Sequence, residues 1–411
     1  MTLNRWEQIK SFIHINDNDK FIPLGSEGHD PLHKIRPLIT ITNNILKSLS
    51  IGENICVDEQ IIPYKGMSRL KQYNPQKPKK WGYKVFLLCG DDGLLHNFEV
   101  YSGKILPAEG LPDVGASGNA VLRLISYIPQ QINYKLFFDN WFCSPNLQVV
   151  LAQRGIFCAA TVRGNRLPNI NFPTDKELKK KGRGFFVSKK TIINGVELNS
   201  VKWHDNRAVT LLSTFVGAHP LIDCERYDRK KKDKIMIKCP NIVKVYNKSM
   251  GGVDLMDSLL SLYRIHTKSR KWYHRILFHV FDMLLINSWL LYKRDYNSIS
   301  IAGKDRLSLY NFKISVAEVL CKYGKCTSNN IPKRKSVQTG YREKCKKGPA
   351  QYLPLQEVRK DLTAHWPKYN DKKGRCKMPG CLFITKVSCK KCGVYLCFTP
   401  TNNCFIDFYE N

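Results

Sequence analysis

The apolar run Tyr134-Lys135-Leu136-Phe137-Phe138 stops abruptly at Asp139-Asn140-Trp141-Phe142, and this constrains the fold more than any other feature. Bounded by Pro129 upstream and Ser144-Pro145 downstream, it reads as a buried strand with a carboxylate at its carboxyl end. A second strand-like stretch, Asn54-Ile55-Cys56-Val57, ends the same way in Asp58-Glu59, and a third acidic pair, Asp254 and Asp257, follows the turn Gly251-Gly252. Three separated carboxylate positions are the donor set with which a protein holds divalent cations against a phosphodiester. Hard Mg²⁺ takes a few carboxylate oxygens and keeps positions open for substrate.

The order of elements around these acids defines the fold class. Trp6, Ile9 and Ile13 fall at helical spacing, and a second helix is expected from Asp30-Pro31 through Leu46. Strands follow at Ile55 to Val57, Lys84 to Cys89 and Leu94 to Tyr101, the last two joined as a hairpin by Asp92-Gly93. Then come a helix at 118–128, the strand ending at Asp139, a helix at 145–154 and a strand at 157–162. A meander of three strands followed by helix, strand, helix, strand is the order of an α/β RNase H-like nuclease core.

Residues 164–241 break that order. They contain a Lys-rich turn (Lys179-Lys180-Lys181-Gly182-Arg183-Gly184), further strands and the charged run Arg229 to Lys234, and read as a β-rich insertion. The predicted organisation is therefore helices at 1–50, core at 51–163, insertion at 164–241, a last core helix with the third acid at 242–263, a helical segment at 264–325, a basic linker at 326–357 and a cysteine-rich domain at 358–411.

Length and charge narrow the partners. The chain has 411 residues, enough for two or three domains with their own cores. Its formal charge is +32, from 66 Lys plus Arg against 34 Asp plus Glu, which calls for a polyanion. The 19 Phe, 19 Tyr and 7 Trp interleaved with the cations make nucleic acid the expected one. Around the first acid, Arg69, Lys71, Lys77, Lys79, Lys80 and Lys84 alternate with Tyr73, Trp81 and Tyr83, and Lys268, Arg270 and Lys271 form a basic loop after the third acid. Cations hold phosphates while aromatic faces stack on unpaired bases; the plainer reading is a solvated edge that resists aggregation. No apolar leader follows Met1, so secretion is not expected. The longest apolar stretch, Ile276 to Tyr292, contains His279, Asp282 and Asn287 and reads as a buried helix, with no membrane partner.

Six of the 15 cysteines crowd together as Cys376, Cys381, Cys389, Cys392, Cys397 and Cys404, after His365. Such spacing points to zinc in a reducing compartment. An aromatic turn is the plainer role for His365.

The segments Val57 to Gly66 and Arg69 to Lys84, joined to Phe138-Asp139-Asn140-Trp141-Phe142 and Gly251-Gly252-Val253-Asp254-Leu255-Met256-Asp257, resemble the piggyBac family of DDE/D transposases. The resemblance covers nearly the whole chain. It implies an RNase H-like core that binds two Mg²⁺ ions through Asp58, Asp139 and Asp254, with Asp257 as an additional acid. It further implies cleavage of DNA at transposon ends and joining at TTAA targets by a nuclear homodimer on double-stranded DNA, and a cross-brace zinc module. Its two tetrahedral sites need eight ligands and this chain offers seven. The family commonly has a histidine after the Cys-Phe-x-x-aromatic stretch, where this chain reads Cys404-Phe405-Ile406-Asp407-Phe408-Tyr409; Tyr409 is a poor zinc ligand, so Asp407 or water is expected to complete a weaker second site. An isolated acid at Asp254 would merely cap its helix. Family members carry a long acidic segment before the first helices, whereas Met1 here falls at the equivalent of the dimerisation and DNA-binding helices, with Asp30 to Leu38 matching their turn, so the chain reads as an amino-terminally shortened copy. Two alternatives remain open: a catalytically silent DNA-binding derivative, and a cysteine-rich segment serving as a RING-like protein-interaction module.

Overall fold

The structure is a computed structural model that describes residues 2–75, 77, 79–167, 170–228, 232–299, 306–323, 353–354 and 356–410. It divides into two compact units, Met1–Thr327 and Ser328–Asn411. The basic linker expected at 326–357 falls almost entirely outside the described residues, as do 229–231 of the charged run.

The larger unit opens with helix α1 (Leu3–Phe12), whose first turn is capped by the Thr2 hydroxyl. Helix α2 (Arg36–Lys47) begins six residues later than the Asp30-Pro31 start predicted from sequence. Asp30 is the reason. Its carboxylate accepts the Leu32 N–H and holds Arg36 at 2.6 Å, closing a turn ahead of the helix, and Pro37 occupies the first helical turn instead.

Strand β1 (Asn54–Pro63), the short β2 (Gln72–Tyr73), β3 (Trp81–Gly90) and β4 (Leu95–Val100) form an antiparallel meander. Its β3–β4 turn places Gly93 at φ 86°, a left-handed conformation that glycine adopts without strain. Helix α3 (Ala116–Leu124), β5 (Tyr134–Phe138), α4 (Pro145–Gln153) and β6 (Ile156–Thr161) follow, with β5 lying parallel between β1 and β6. The Ser144 hydroxyl caps α4 and Pro145 enters its first turn.

The Lys-rich turn expected near residue 180 is helix α5 (Asp175–Lys181), closed by a Thr174–Glu177 capping box, with its lysines at the carboxyl end where the helix dipole favours cations. Strands β7 (Phe186–Ile193), β8 (Val196–His204) and β9 (Ala208–Ser213) then extend the main sheet, because β9 pairs with β6 at Ala160↔Leu212. The result is one nine-stranded sheet ordered β2-β3-β1-β5-β6-β9-β8-β7, with β4 on β3. The predicted insertion is thus largely continuous with the core. Leu211 and Leu212 point to opposite faces and join the two hydrophobic cores there, so burial favours adding these strands to the existing edge. Among the described residues of 164–241, only β10 (Ile222–Asp228) and β11 (Asp233–Cys239) pair separately from the main sheet.

Helices α6 (Asn241–Ser249), α7 (Gly252–Leu262), α8 (Trp272–Ser298) and α9 (Leu309–Lys322) complete the unit. On one face of the sheet, Cys56 and Ile62 of β1 pack with α2, α6, α7 and α8; on the other, Ile55 and Val57 pack with α3 and α4. Helix α8 is the one helix among the described residues long and apolar enough to cross a membrane. Its interior polar groups mark it as a core helix: Asn287 bonds both the N–H and the carbonyl of Leu95, and Asp282 accepts the Ile265 N–H at 2.9 Å.

The smaller unit contains a short helix α10 (Gln356–Arg359), an antiparallel pair β12 (Pro367–Arg375) and β13 (Ile384–Cys389), and helix α11 (Cys404–Glu410). Val387, Val394, Leu396, Phe405 and Phe408 form its apolar centre among the cysteines.

Candidate functional site

Asp58 does not end its strand, contrary to the sequence expectation, since β1 runs on to Pro63 against β3. What stops is the parallel ladder to β5, whose last partners are Val57 and Phe138. Asp58 and Asp139 are therefore the first residues beyond that ladder on adjacent strands, at the carboxyl end of the parallel pair. Strands in a sheet lie about 4.8 Å apart, which sets the scale of their separation.

Helix α7 brings Asp254 and Asp257 to the same place. Its amino end presses so closely on the sheet that a Cβ on Gly252 would stand 2.0 Å from the Gly90 carbonyl oxygen and 2.8 Å from the Cys56 sulfur. The second glycine of the Gly-Gly turn is thus a packing requirement, and the Cys56 thiol meets the Gly252 and Val253 backbone N–H groups. Asp254 lies in the first turn of α7, where the dipole favours its charge.

Burial governs the electrostatics. It raises the Asp58 carboxyl to about 7, helped by the charges of Asp139 and Asp254 and opposed by Lys77 and by the Glu59 N–H, which donates to Asp58 Oδ1 at 2.7 Å. Burial also pushes Asp139 up, with Glu59 adding to the shift and the Trp141 and Phe142 N–H groups opposing it. Asp257 is raised for the same first reason, against a hydrogen bond from Gln60. Desolvated carboxylates that repel one another through hard oxygen donors fit a divalent cation. Among the described residues no three acidic groups bring carboxylate oxygens within 4.8 Å of one another, and Asp58 and Asp139 each accept a hydrogen bond from a local N–H.

Two side chains that sequence reasoning missed hold this arrangement. Gln60, on the same face of β1 as Asp58, is buried; its amide nitrogen donates to Asp257, and its carbonyl oxygen lies 2.5 Å from Nε2 of the buried His279 on α8. Burial lowers the His279 imidazole to about 3, so it is neutral and donates from Nε2. The period of two along β1 could have pointed to Gln60. Nothing local could have paired it with a histidine 219 residues away. On the opposite face Glu59 is held by Lys84 at 2.5 Å, and that ammonium lies 4.0 Å above the Trp141 ring.

The expected basic residues separate into groups. Lys77 and Lys79 line a cleft of about 270 Å³ with Asp257, Arg264 and His266; Arg264 was not singled out from sequence. Lys268 and Arg270 line a second cavity with Lys65 and Arg275. Lys71 packs 4.8 Å from the Trp81 ring, Arg69 and Lys80 are exposed, and Lys271 reaches back to the Ser11 carbonyl of α1.

In the smaller unit the seven candidate ligands divide four and three. Cys376, Cys381, Cys397 and Cys404 form one cluster, and His365, Cys389 and Cys392 the other, each with its ligand atoms within 4.8 Å of one another. Ligands alternate between the clusters along the chain, and either cluster could hold a metal ion. His365 Nδ1 lies 3.4 Å from both sulfurs of its cluster, while Nε2 meets the Val358 carbonyl at 2.9 Å and Asp361 at 3.0 Å. Asp407, expected to complete this site, is exposed and belongs to neither cluster. The helical repeat of α11 turns it outward and turns Phe408 and Tyr409 inward.

Comparison with known proteins completes the picture. A family model described as "Transposase IS4" matches residues 1–289. The human PiggyBac transposable element-derived protein 3 is 34% identical over 298 residues, covering 71% of this chain and 48% of that protein. The human PiggyBac transposable element-derived protein 2 is 29% identical over 381 residues, 91% of this chain and 59% of that protein. The chain thus spans about half the length of the first and less than two thirds of the second. A solved piggyBac transposase synaptic complex with hairpin DNA shares the fold, with a TM-score of 0.64 over 97% of this chain and 79% of that one, at 20% identity.

Proposed function

Because this chain belongs to the piggyBac family of transposases, we propose that it binds transposon ends and cleaves and joins DNA at TTAA targets, as a transposase or a host-resident derivative of one. The observation that carries the reading is the convergence of Asp58 and Asp139, at the end of one parallel ladder, with the amino end of α7 that bears Asp254 and Asp257. On this reading the sheet around β1, β3, β4, β5 and β6 is an RNase H-like catalytic core. Asp58, Asp139 and Asp254 would hold two Mg²⁺ ions, with Asp257 beside them. Bound there, the ions would activate the attacking hydroxyl and stabilise the leaving oxygen of an in-line displacement.

The chain's own residues do the rest. Lys77, Lys79 and Arg264 offer cations to phosphates in the cleft beside Asp257, and Arg69, Lys71, Lys80, Lys268, Arg270 and Lys271 extend the basic surface along the duplex. Gln60 and His279 fix the Asp257 carboxylate. Zinc would occupy the two cysteine clusters, whose soft thiolates suit it. Two ends must be held together for joining, so the working unit is a nuclear homodimer on double-stranded DNA.

The test is nicking of a transposon-end duplex in Mg²⁺. Activity in the wild type, lost in Asp139→Asn with DNA binding retained, supports the assignment; full activity in Asp139→Asn overturns it. Binding without nicking in the wild type favours a silent DNA-binding derivative.

A further inference from the structure

The second cysteine cluster has three ligand atoms of the ordinary kinds and a fourth neighbour of an unusual kind. His365 Nδ1 faces Cys389 and Cys392, each 3.4 Å away. The imidazole is locked in that pose, because Nε2 is engaged by the Val358 carbonyl and by Asp361, which Lys391 in turn holds. A carboxylate behind a histidine that turns its other nitrogen toward a site is the support metal-binding imidazoles receive. The Cys392 N–H approaches the Cys389 sulfur at 3.4 Å, which stabilises a thiolate.

Tyr409 covers this set. Its ring stacks on His365 with centroids 4.1 Å apart and planes 27° apart, and the residue is 5% exposed. Its hydroxyl is buried without a hydrogen-bond partner of ordinary geometry, although the side chains it faces are Cys389 and Cys392. A buried hydroxyl that meets only sulfurs, which are weak hydrogen-bonding partners, is costly and calls for an explanation. Packing alone explains the ring, since phenylalanine would stack as well, but it leaves the hydroxyl unexplained. Asp407, on the outer face of the same helix, offers no competing oxygen.

We propose that the Tyr409 phenolate is the fourth ligand of this cluster, giving a His-Cys-Cys-Tyr site beside the four-cysteine site. The inference rests on the zinc reading above. On binding, an oxygen–zinc bond forms and the phenol proton leaves to solvent. Oxygen is a harder donor than sulfur or imidazole nitrogen, so this ion is held less tightly than its neighbour.

The test uses the full chain loaded with zinc, titrated with a chelator, with bound zinc read by elemental analysis and ionised tyrosine by absorbance. Two equivalents are expected, one released at lower chelator concentration together with the ionised-tyrosine signal. Tyr409→Phe should lack that signal and release the weaker equivalent at a chelator concentration at least about tenfold lower. Tyr409→His, which supplies a better zinc donor, should retain it to a concentration higher than wild type. Two equivalents without an ionised-tyrosine signal, with Tyr409→Phe matching wild type, would overturn the tyrosine assignment and leave the zinc reading standing. Absence of zinc from the wild type would overturn both.

Discussion

Replacing Asp58 by Asn should stabilise the metal-free protein at neutral and alkaline pH while abolishing its response to Mg²⁺. Asn keeps an oxygen for the 2.7 Å bond from the Glu59 N–H but cannot ionise. Burial raises the Asp58 carboxyl from 3.8 to about 7, so the folded state binds its proton more tightly than the unfolded chain does. That contribution is fully present below pH 4 and is lost as the pH rises through 7. At 1.36 kcal/mol per unit the ceiling is about 4 kcal/mol, and residual solvent access brings the expected gain in Asp58→Asn at pH 8 to about 2–4 kcal/mol. Hydrogen exchange of the β1 and β5 amides in Mg²⁺-free buffer reads this locally, without assuming that the whole chain unfolds in one step. The variant should be better protected at pH 8 and similar to wild type at pH 4, and added Mg²⁺ should protect only the wild type. Equal destabilisation at both pH values, or equal Mg²⁺ protection of both proteins, would refute the electrostatic argument.

Three further outcomes follow from named contacts. His279→Leu strands the buried Gln60 carbonyl oxygen and should cost about 1–3 kcal/mol in denaturant unfolding of the larger unit; an unchanged midpoint would show that the Gln60 bridge is not set by His279. Gly252→Ala places a methyl 2.0 Å from the Gly90 carbonyl oxygen and should cost about 3 kcal/mol or more, whereas Gly251→Ala, with open space at its Cβ, should be much milder by the same assay. Lys84→Met leaves Glu59 without its 2.5 Å partner and removes the ammonium from the Trp141 face; a loss of about 2 kcal/mol is expected, read as a lower thermal midpoint and a shifted Trp emission.

Individual residues show how far local pattern reaches. The strand ending at Asp139 is legible because five consecutive bulky residues between breakers have few alternatives, and the Asp92-Gly93 hairpin because its turn demands a glycine at positive φ. The cysteine clusters are legible as spacing, and the acidic positions as carboxylates following apolar runs. Other features depend on which strand lies beside which. The sequence of residues 164–213 contains strand patterns but no instruction to pair β9 with β6; burial of Leu211 and Leu212 against both cores decides that, so most strands of this β-rich segment extend the main sheet. Asp58 looked terminal because the apolar run ends there, yet β1 continues, since pairing to β3 persists after pairing to β5 stops.

Residue chemistry by itself determined the donor types available to this protein: hard carboxylates in the core, thiolates and an imidazole at the carboxyl end, and a surplus of cations throughout. These follow from composition and local spacing, which chain connectivity preserves whatever the fold. Tertiary structure alone decided which donors meet. The Gln60 bridge spans 197 residues to Asp257 and 219 to His279, and the choice of Tyr409 over Asp407 beside Cys389 and Cys392 depends on the rotation of a seven-residue helix. Such pairings are fixed by burial and by the need to satisfy polar groups inside the core, neither of which has a local signature.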